Sequence, residues 1–523
     1  MTPEGNMQTA LLVRIDEEVR AGHFSEAHEL LKGYPEQDGI AACFLYAAIF
    51  TGLGEFAQAA RFLIRTDRGE GRHPAWHLLA IMAGLDLREN LIAVLRLAAE
   101  DPAGSPALLN VLGEALYQAG HPYEARDILQ RSCTINPYSS ESLNSLGIAT
   151  YECGDAEAAL DCFEYALRGD PGNAKTLSNI ACTLSAVGRM DEAIATYQKA
   201  IALRPTDAKI RLNHSIALLK DGRWAQGWME HEWRFDLPEH TKLPRDRLLP
   251  TLRQGDDIRG KIILLTQEEG LGDTLMYLRY VPLLIARGAH VHLWVPPELA
   301  ELCRRIKGVG RVQVGGILPD YDWHCPFISL PRVFLSDPEK LGNPVPYLEA
   351  DSEKITRFRK LLPKSDRLKV GLVWGGARRP CQTAPYMMDR KRSVPLHLLE
   401  SLGKIENIDL ISLQKGDYSK QIDDMPSDFC IHDLSGHLQS MDDTAALLMN
   451  IDILVSVDTS VVHLAGALGR PVILMDRFDN CWRWLSGKDT SIWYPQLRIV
   501  RQKKLRDWSG VVKKVCKILQ KAR

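Results

Sequence analysis

The chain has 523 residues, which corresponds to about three to four domains at ~150 residues each. Its formal net charge of −2 combines two unlike halves, because residues 1–235 hold 21 basic and 31 acidic residues whereas residues 236–523 hold 43 and 35. One uniform fold is therefore disfavoured. A chain-wide basic surface is excluded as well, so we do not expect a nucleic-acid partner.

The composition is that of a globular protein, with 45% hydrophobic and 25% charged residues. The longest apolar stretch, residues 451–475, is interrupted by charged side chains, so no transmembrane segment is predicted. The N-terminus lacks the basic and apolar regions of a secretory signal. None of the 11 cysteines forms a C-x-x-C pair. We expect a reducing, cytoplasmic compartment and no structural zinc.

An internal repeat runs through the acidic half. A glycine is followed five residues later by a small residue, and this pattern occurs at Gly22/Ala27, Gly54/Ala59, Gly120/Ala125, Gly154/Ala159, Gly188/Ala193 and Gly222/Gly227. The last four glycines are spaced by 34 residues, as are Pro137, Pro171 and Pro205. This period resembles the tetratricopeptide repeat (TPR), a helix-turn-helix unit.

Each repeated position has a physical role. Glycine permits the left-handed turn that ends the first helix, the small residue lets two helices approach closely, and proline stops the second helix. Units fit well at 106–139, 140–173 and 174–207, whereas earlier residues match in fragments. We therefore predict degenerate helical repeats over 1–105, and TPR repeats with a capping unit over 106–235.

The capping unit carries the sequence GWMEHEWRF, in which Trp224, Trp228 and Trp233 stand out. The favoured interpretation is that these rings seal the array against the next domain. The alternative is an aromatic ledge that binds a peptide or a sugar. Stacked repeats form an extended surface that commonly binds protein, so we expect a protein or peptide partner on the TPR surface.

The basic half follows a linker predicted over 236–257, and there short apolar runs alternate with helical stretches. This pattern favours parallel α/β units. Strands are predicted at 261–267, 290–295, 311–316, 369–376, 409–414, 452–457 and 471–475. Helices are predicted at 273–287, 396–403, 441–450 and 460–468, and a closing amphipathic helix in the basic tail. The two halves are placed at 258–360 and 361–523. Ligands of such folds bind beyond the carboxyl ends of the strands.

Three loops at predicted strand ends carry candidate residues. In QEEGLGDTLMYLRY, Gly270 and Gly272 allow a tight turn, and Asp273 begins the helix. Spacing alone favours Asp273 as an N-cap or first-turn residue of the helix. In VDTSVVHLAGALGRP, Asp458 and Thr459 open a helix and His463 follows one turn later. A helix N-terminus there suits a phosphate, and a cap with a buried histidine is the open alternative.

The third loop, GGARRPCQTAPYMMDRKRSVPL, is predicted to be long and polar. It carries five cations: Arg378, Arg379, Arg390, Lys391 and Arg392. Guanidinium groups at the mouth of a cleft would suit a diphosphate, whereas for any one of them a solvated loop is the more ordinary interpretation.

Taken in order, these motifs resemble family 9, the heptosyltransferase-like glycosyltransferases, and the whole chain resembles bacterial proteins that join TPR repeats to such a domain. The resemblance extends from GWMEHEWRF to the tail WRWLSGKDTSIWYPQLRIVRQ. The fold class it implies is α + α/β, an N-terminal TPR solenoid followed by a GT-B module of two Rossmann-like halves. The first half would be the acceptor side and the second the nucleotide-sugar side.

The resemblance also implies roles for single residues. Asp273 takes the position of the catalytic carboxylate, which accepts a proton from the acceptor hydroxyl, and Arg392 that of a positively charged residue that assists the leaving diphosphate. Donor contacts fall on Asp458, Thr459 and His463, with Gly270 and Gly272 in the facing loop. Gln414 and Lys415, which follow a predicted strand, are expected to line the nucleotide pocket.

The expected activity is inverting transfer of a sugar from a nucleotide-sugar donor, without a metal or other cofactor. The Asp-Tyr-Asp sequence at 320–322 is interpreted as a surface turn. The chain has GGARRPCQTAPY where related repeat-bearing proteins have a Gly-Asn-Pro type sequence, and this puts the donor specificity in question. The alternative function is therefore a non-catalytic TPR scaffold with a degenerate nucleotide-binding domain. The sugar, the base, the acceptor and the oligomeric state do not follow from these residues.

Overall fold

The computed structural model describes residues 3–36, 38–67, 72–102, 105–238, 244–340 and 345–522. The chain divides into two compact units. The first unit consists of Met1–Thr183 together with Arg378–Arg390, and the second of Leu184–Ala377 and Lys391–Arg523. The predicted boundary at 235/236 follows the sequence repeat, whereas the compact units divide inside the eleventh helix.

Antiparallel helix pairs form the repeat region. Its helices are α1 (Pro3–Ala21), α2 (Phe24–Lys32), α3 (Ile40–Leu53), α4 (Phe56–Ile64), α5 (Ala75–Gly84), α6 (Arg88–Glu100), α7 (Ala107–Ala119), α8 (Pro122–Ile135), α9 (Ser140–Glu152), α10 (Ala156–Gly169), α11 (Ala174–Ala186), α12 (Met190–Leu203), α13 (Ala208–Lys220) and α14 (Trp224–His231). Gly120 ends α7 with φ of +91°, and the small residue Ala125 is fully buried. The predicted turn and close approach are confirmed, and the fragmentary region before residue 100 is also helical.

The α/β region begins with a four-stranded parallel sheet in the order β3-β2-β1-β4. Its elements are β1 (Ile262–Thr266), α15 (Leu271–Tyr277), α16 (Val281–Ala286), β2 (His290–Trp294), α17 (Pro297–Arg304), β3 (Val309–Gln313), β4 (Trp323–Pro326), α18 (Leu330–Val333) and α19 (Ser352–Arg359). The helix predicted over 273–287 is split by a 3-10 turn at Leu278–Tyr280. Pro282 explains this, since it has no N–H for an α-helical bond.

A second sheet has six parallel strands in the order β10-β9-β8-β5-β6-β7. The elements are β5 (Leu368–Val373), α20 (Thr383–Arg392), β6 (Ile408–Ser412), β7 (Ile431–Asp433), α21 (Met441–Leu448), β8 (Ile453–Val457), α22 (Ser460–Ala467), β9 (Val472–Asp476), β10 (Leu497–Arg501) and α23 (Trp508–Leu519). The stretch predicted as a helix over 396–403 is a 3-10 helix, Leu396–Leu402. The closing amphipathic helix is confirmed as α23.

Strand order reverses beside β1 in the first sheet and beside β5 in the second. In an open parallel sheet such a switch point leaves a crevice at the carboxyl ends of the strands. The loop after β1 therefore opens into one crevice, and the loops after β5 and β8 flank the other. The fold class predicted from the sequence, helical repeats followed by two Rossmann-like halves, is confirmed.

The capping unit packs into the core of the second compact unit. Trp228 is 2% exposed, its indole N–H donates to the carbonyl of Ser336 at 2.9 Å, and its ring meets Trp482 edge to face. Trp224 is buried against Trp493 in the same way. For these two rings the sealing interpretation is right and the exposed ledge is wrong. Trp233 instead lies under the guanidinium of Arg211, 4.4 Å from its centroid.

The segment predicted as a linker is packed where it is described. Leu249 and Leu252 are buried, and their N–H groups donate to the carbonyls of His324 and Val333. These leucines, spaced among charges and prolines, attach the segment to the edge of the first sheet. Residues 239–243 lie outside the described chain.

Candidate functional site

Asp273 lies in the first turn of α15, directly after the short connection from β1. Gly270 is the N-cap residue, and the backbone N–H of Asp273 donates to its carbonyl at 3.1 Å. Asp273 thus holds the first-turn position, one of the two that spacing alone favoured, but its carboxylate does not cap the helix. It accepts a hydrogen bond from the guanidinium of Arg483 and is 20% exposed. The side chain thus stays available at the crevice.

The loop after β8 opens α22. Thr459 is the N-cap residue, and its hydroxyl lies 3.3 Å from that of Ser456. Asp458 precedes it and is largely buried, with its Oδ1 atom 3.9 Å from Nε2 of His463. Because the first N–H groups of a helix lack partners within it, this end of α22 presents donors and a partial positive charge.

Gly272 brings the two loops together. A Cβ atom at this position would lie 2.9 Å from Cδ2 of His463 and 3.3 Å from Cα of Ser460. Only glycine allows α15 to approach the first turn of α22 so closely. The structure therefore assembles Gly270, Gly272, Asp273, Asp458, Thr459 and His463 in one place, although they are nearly 200 residues apart in sequence.

His463 is a buried, neutral histidine. It is 4% exposed, stacks on Trp484 with centroids 5.4 Å apart, and places Nδ1 3.1 Å from the hydroxyl of Tyr494. Burial lowers the pKa of His463 to about 4, against the opposing effect of Asp458. The side chain supports the turn that carries Asp458 and Thr459, which is the buried-histidine alternative left open by the sequence.

Arg483 is a site residue that sequence reasoning missed. It lies in the loop between β9 and β10, and it donates to Asp273. Burial opposes its charge, yet the carboxylate of Asp273 raises the pKa of the guanidinium well above its ordinary value. The sequence signal for Arg483 is its position between two tryptophans in WRWLSGKD. This stretch supports the family resemblance as a whole and does not single out the arginine.

A second buried arginine holds the loop after β1. Arg234 comes from the capping unit, is 2% exposed, and forms two hydrogen bonds with Glu268, at 3.0 and 2.9 Å. Glu232 and Ser329 complete its partners at 2.7 and 2.6 Å. Although burial opposes its charge, the Glu232 and Glu268 carboxylates raise the pKa of Arg234. The repeat region thus fixes the loop that carries Asp273.

Gln414 and Lys415 lie at the end of β6, and both hold backbone groups. The Gln414 amide oxygen accepts from the N–H groups of Trp374 and Gly375, at 2.9 and 2.8 Å. Its nitrogen donates to the carbonyls of Gly375 and Lys415, at 3.0 and 2.8 Å. Lys415 donates to the carbonyl of Leu438. All four positions of the buried Gln414 amide are occupied by backbone, so its contact with a nucleotide stays a prediction.

The third loop differs from the expectation of a long polar loop. Residues 383–392 form α20, with Pro385 in the first turn, where a missing N–H costs little. Residues 378–390 fold with the helical array in the first compact unit. The idea that all five cations gather at the cleft is therefore wrong for Arg390, which donates to the carbonyl of Gln118 at 3.4 Å. Arg392 ends α20, and its role stays a prediction.

A cavity of about 960 Å³ lies at the carboxyl edge of the first sheet. It is bounded by residues that end the strands, Thr266, Trp294 and Pro326, by Phe235 at the end of the capping unit and by Leu237 just after it. Its lining is mostly apolar and aromatic, and Glu268 joins it to the loop of Asp273.

Asp322 has a structural role. Its carboxylate accepts from the backbone N–H of Ile262 at 2.8 Å and pairs with Lys261 at 3.1 Å, so it fixes the start of β1. Among the residues that the structure describes, no group of three or more His, Cys, Asp and Glu side chains is arranged to hold a metal ion. Within the same residues, no helix has the length and apolarity needed to cross a membrane.

Two family models match the chain. The tetratricopeptide repeat model matches residues 176–210, and the model of glycosyltransferase family 9 (heptosyltransferase) matches residues 421–475. The second match contains β8 and the N-terminal turn of α22. Residues 176–210 therefore match a tetratricopeptide repeat and residues 421–475 match glycosyltransferase family 9, in agreement with the resemblance.

Individual proteins are similar to parts of this chain. The chain is 26% identical over 334 residues to Protein FlbA of Caulobacter vibrioides, an alignment covering 58% of this chain and 54% of FlbA. The chain thus spans about half the length of that curated relative. The structure of E. coli ADP-heptose lps heptosyltransferase II is 15% identical and matches 49% of this chain and 98% of that chain, with a TM-score of 0.36. A crystal structure of MamA is 18% identical and matches 30% of this chain and 91% of the MamA chain, with a TM-score of 0.26.

Proposed function

We propose that the chain is an inverting, metal-independent glycosyltransferase that moves a sugar from a nucleotide-sugar donor to an acceptor recruited by the TPR array. The observation that carries the proposal is the contact between the turn of Asp273 and the N-terminal turn of α22, made through Gly272. It places a carboxylate next to a helix end suited to a diphosphate.

The proposed reaction is a single displacement. Asp273 accepts the proton of the acceptor hydroxyl as its oxygen forms a bond to the anomeric carbon. On the opposite face the bond from that carbon to the diphosphate breaks, and the nucleoside diphosphate leaves with the bonding electrons. One displacement inverts the anomeric configuration. To accept this proton, the carboxylate needs to be ionised.

Arg483 is the cation that we assign to the leaving diphosphate in this reaction. Without donor it neutralises Asp273. A diphosphate at the N-terminus of α22 would compete for the guanidinium, since it carries more negative charge and accepts two parallel hydrogen bonds. Donor binding would then free Asp273 to act as a base. In the transition state, charge accumulates on the diphosphate, where Arg483 stabilises it.

The acceptor is assigned to the cavity at the first sheet, which is continuous with the loop of Asp273 through Glu268. Trp294 lines this cavity, and its ring offers a surface on which an acceptor sugar ring or an apolar side chain can pack. The proposal therefore covers both a protein and a glycan acceptor.

One observation favours the alternative, a nucleotide-binding scaffold that does not catalyse transfer. The carboxylate of Asp273 is already paired with Arg483, and a base held permanently in that pair would be a poor proton acceptor. The two functions differ in turnover and not in donor binding.

The test is to incubate the purified chain with UDP-, GDP- and ADP-linked sugars and to measure release of nucleoside diphosphate. We expect release with at least one donor and its loss in Asp273→Ala, with Asp320→Asn as a matched control in a surface turn. Unchanged release in Asp273→Ala would overturn the catalytic assignment. Stabilisation of the fold by a donor without any release would establish the scaffold instead.

A further inference from the structure

The third loop contributes a ligand-like segment to the helical array. Residues 378–390 belong to the same compact unit as α1 to α10, although they follow β5 in the chain. They contact the array at the start of α6 and at the end of α7. Both contact points are made by polar groups with defined geometry.

Arg88, the first residue of α6, is the centre of the first contact. It is 3% exposed, and its guanidinium donates to the carbonyl of Pro380 at 2.8 Å and to the hydroxyl of Thr383 at 3.0 Å. It also lies over the ring of Tyr386, 5.0 Å from the centroid. Asp86 is 3.7 Å away and half exposed. Without the segment, Arg88 would lose both of these hydrogen bonds, and Asp86 would be its counter-ion.

The second contact lies where α7 ends. The guanidinium of Arg390 occupies the space beside Gly120, where an added Cβ would lie 1.2 Å from its Nη2 atom. The same side chain donates to the carbonyl of Gln118 at 3.4 Å. The C-terminal end of a helix presents free carbonyls and a partial negative charge, so a cation is favoured there.

The contacting side chains of the segment form one helical face. Thr383, Tyr386 and Arg390 are spaced by three and four residues on α20, which is the spacing of neighbours along one side of a helix. Arg390 also lies 5.6 Å from the Tyr386 ring. The helical array therefore contacts a hydroxyl, an aromatic ring and a guanidinium, in that order along α20.

We propose that the surface formed by Arg88, Gln118 and Gly120 is a peptide-docking site of the repeat array, which residues 378–390 occupy as an intramolecular ligand. Its partner in trans is a helical protein segment with a Ser or Thr, an aromatic residue three positions later and an Arg four positions after that. Such a segment displaces α20 from the array. The site does not depend on catalysis by the α/β region.

The test uses a fluorescein-labelled peptide of residues 378–392, with Cys381 replaced by Ser, and the full chain. Because its own segment competes, the wild-type chain binds the peptide weakly. The double variant Tyr386→Ala, Arg390→Ala weakens the internal ligand and leaves the site intact, so we expect about tenfold tighter binding in fluorescence anisotropy. Adding Arg88→Ala removes this gain. Arg96→Ala, on the same helix in a surface pair with Glu124, leaves it in place.

Equal binding by the wild-type chain and the double variant, or a gain that survives Arg88→Ala, would overturn the proposal. Because Arg88 is buried, a second measurement uses the unmodified chain. Saturating peptide should accelerate amide hydrogen exchange in residues 383–392, while a peptide lacking the Tyr and Arg side chains should not. Unchanged exchange with both peptides would also overturn it, whatever the enzymatic activity of the chain.

Discussion

Two loops occupy equivalent positions in the two parallel sheets, but they pack against different parts of the chain. Each follows the strand at the switch point of a parallel sheet, one after β1 and the other after β5. The loop after β1 is short, turns at Gly270 and places Asp273 against α22. The loop after β5 is long, and its residues 378–390 fold with the helical array.

The difference shows what fixes the position of a functional side chain. A short connection is held by the strand that precedes it, so residue spacing is enough to place Asp273 at the carboxyl edge. The position of a long connection depends on the contacts that its own side chains make, and here Arg390 donates to the carbonyl of Gln118. The number of cations in a loop therefore does not show that the loop binds an anion.

The largest effect is expected for Asp273→Asn, in the loop after β1. Removing the proton acceptor should lower kcat for sugar transfer by about 10²- to 10⁴-fold, while donor binding persists. Steady-state kinetics and donor titration measure both quantities. Arg390→Gln, in the loop after β5, should leave donor hydrolysis near the wild-type rate, and equal losses in the two variants would erase the contrast between the loops.

Arg234→Gln tests whether the loop after β1 is held by the capping unit. The change leaves the Glu268 carboxylate without its buried partner, so the free energy of unfolding should fall by about 3–5 kcal/mol. Urea unfolding followed by tryptophan fluorescence measures this. Arg245→Gln removes the exposed pair with Asp236 and should cost about 0–1 kcal/mol. Similar losses in the two variants would show that Arg234 contributes no special anchoring.

Arg483→Gln tests the assignment of the leaving group. If Arg483 stabilises the departing diphosphate, kcat should fall by about 10²- to 10³-fold. Arg392→Gln, at the end of α20, should have a smaller effect. A larger loss in Arg392→Gln would return the role to the residue that the sequence resemblance favoured.

The smallest effect concerns pH. Burial lowers the pKa of His463 to about 4, whereas an unfolded histidine titrates near pH 6.5. Between these values the unfolded chain binds a proton that the folded chain does not, so the free energy of unfolding falls by up to ~3 kcal/mol as the pH drops from 6.5 to 4. His463→Gln should flatten this part of the profile in urea titrations. Burial raises the pKa of Asp476 to about 6, so this carboxyl makes the free energy of unfolding rise as the pH drops. Because wild type and His463→Gln share this contribution, it cancels in the difference between their two profiles. Parallel profiles would contradict a neutral buried His463.

The sequence predicted most of the fold because its signals are local. The 34-residue period located the helix pairs, and apolar runs located β1, β2, β3, β5, β6, β8 and β9 to within a few residues. The missed strands β4, β7 and β10 lack such runs, since β4 contains His324 and Pro326, β7 is only three residues long, and β10 contains Arg498 and Arg501. Their positions depend on pairing with neighbours, which one sequence does not display.

The sequence predicted the acidic and hydroxyl side chains of the candidate site, but it did not predict the arginines that pair with its carboxylates. Asp273 follows a strand end of the first sheet, and Asp458 and Thr459 follow a strand end of the second, so topology places each at a carboxyl edge. The close approach at Gly272 then brings the two loops together. Arg483 reaches the site from the 3-10 turn Trp482–Trp484 between β9 and β10, and Arg234 from the capping unit. A long, flexible arginine side chain pairs with a carboxylate that the folded chain brings within reach. The spacing of residues along the sequence does not predict which carboxylate that is.

The most direct test of the account is the binding of a nucleoside diphosphate to three forms of the full chain. Isothermal titration calorimetry with UDP, GDP and ADP would compare wild type, Arg483→Gln and Arg390→Gln. The account predicts that wild type and Arg390→Gln bind the same nucleotide with equal affinity, and that Arg483→Gln binds it at least about tenfold more weakly. Full affinity in Arg483→Gln with weakened binding in Arg390→Gln, or no binding by the wild-type chain, would contradict it.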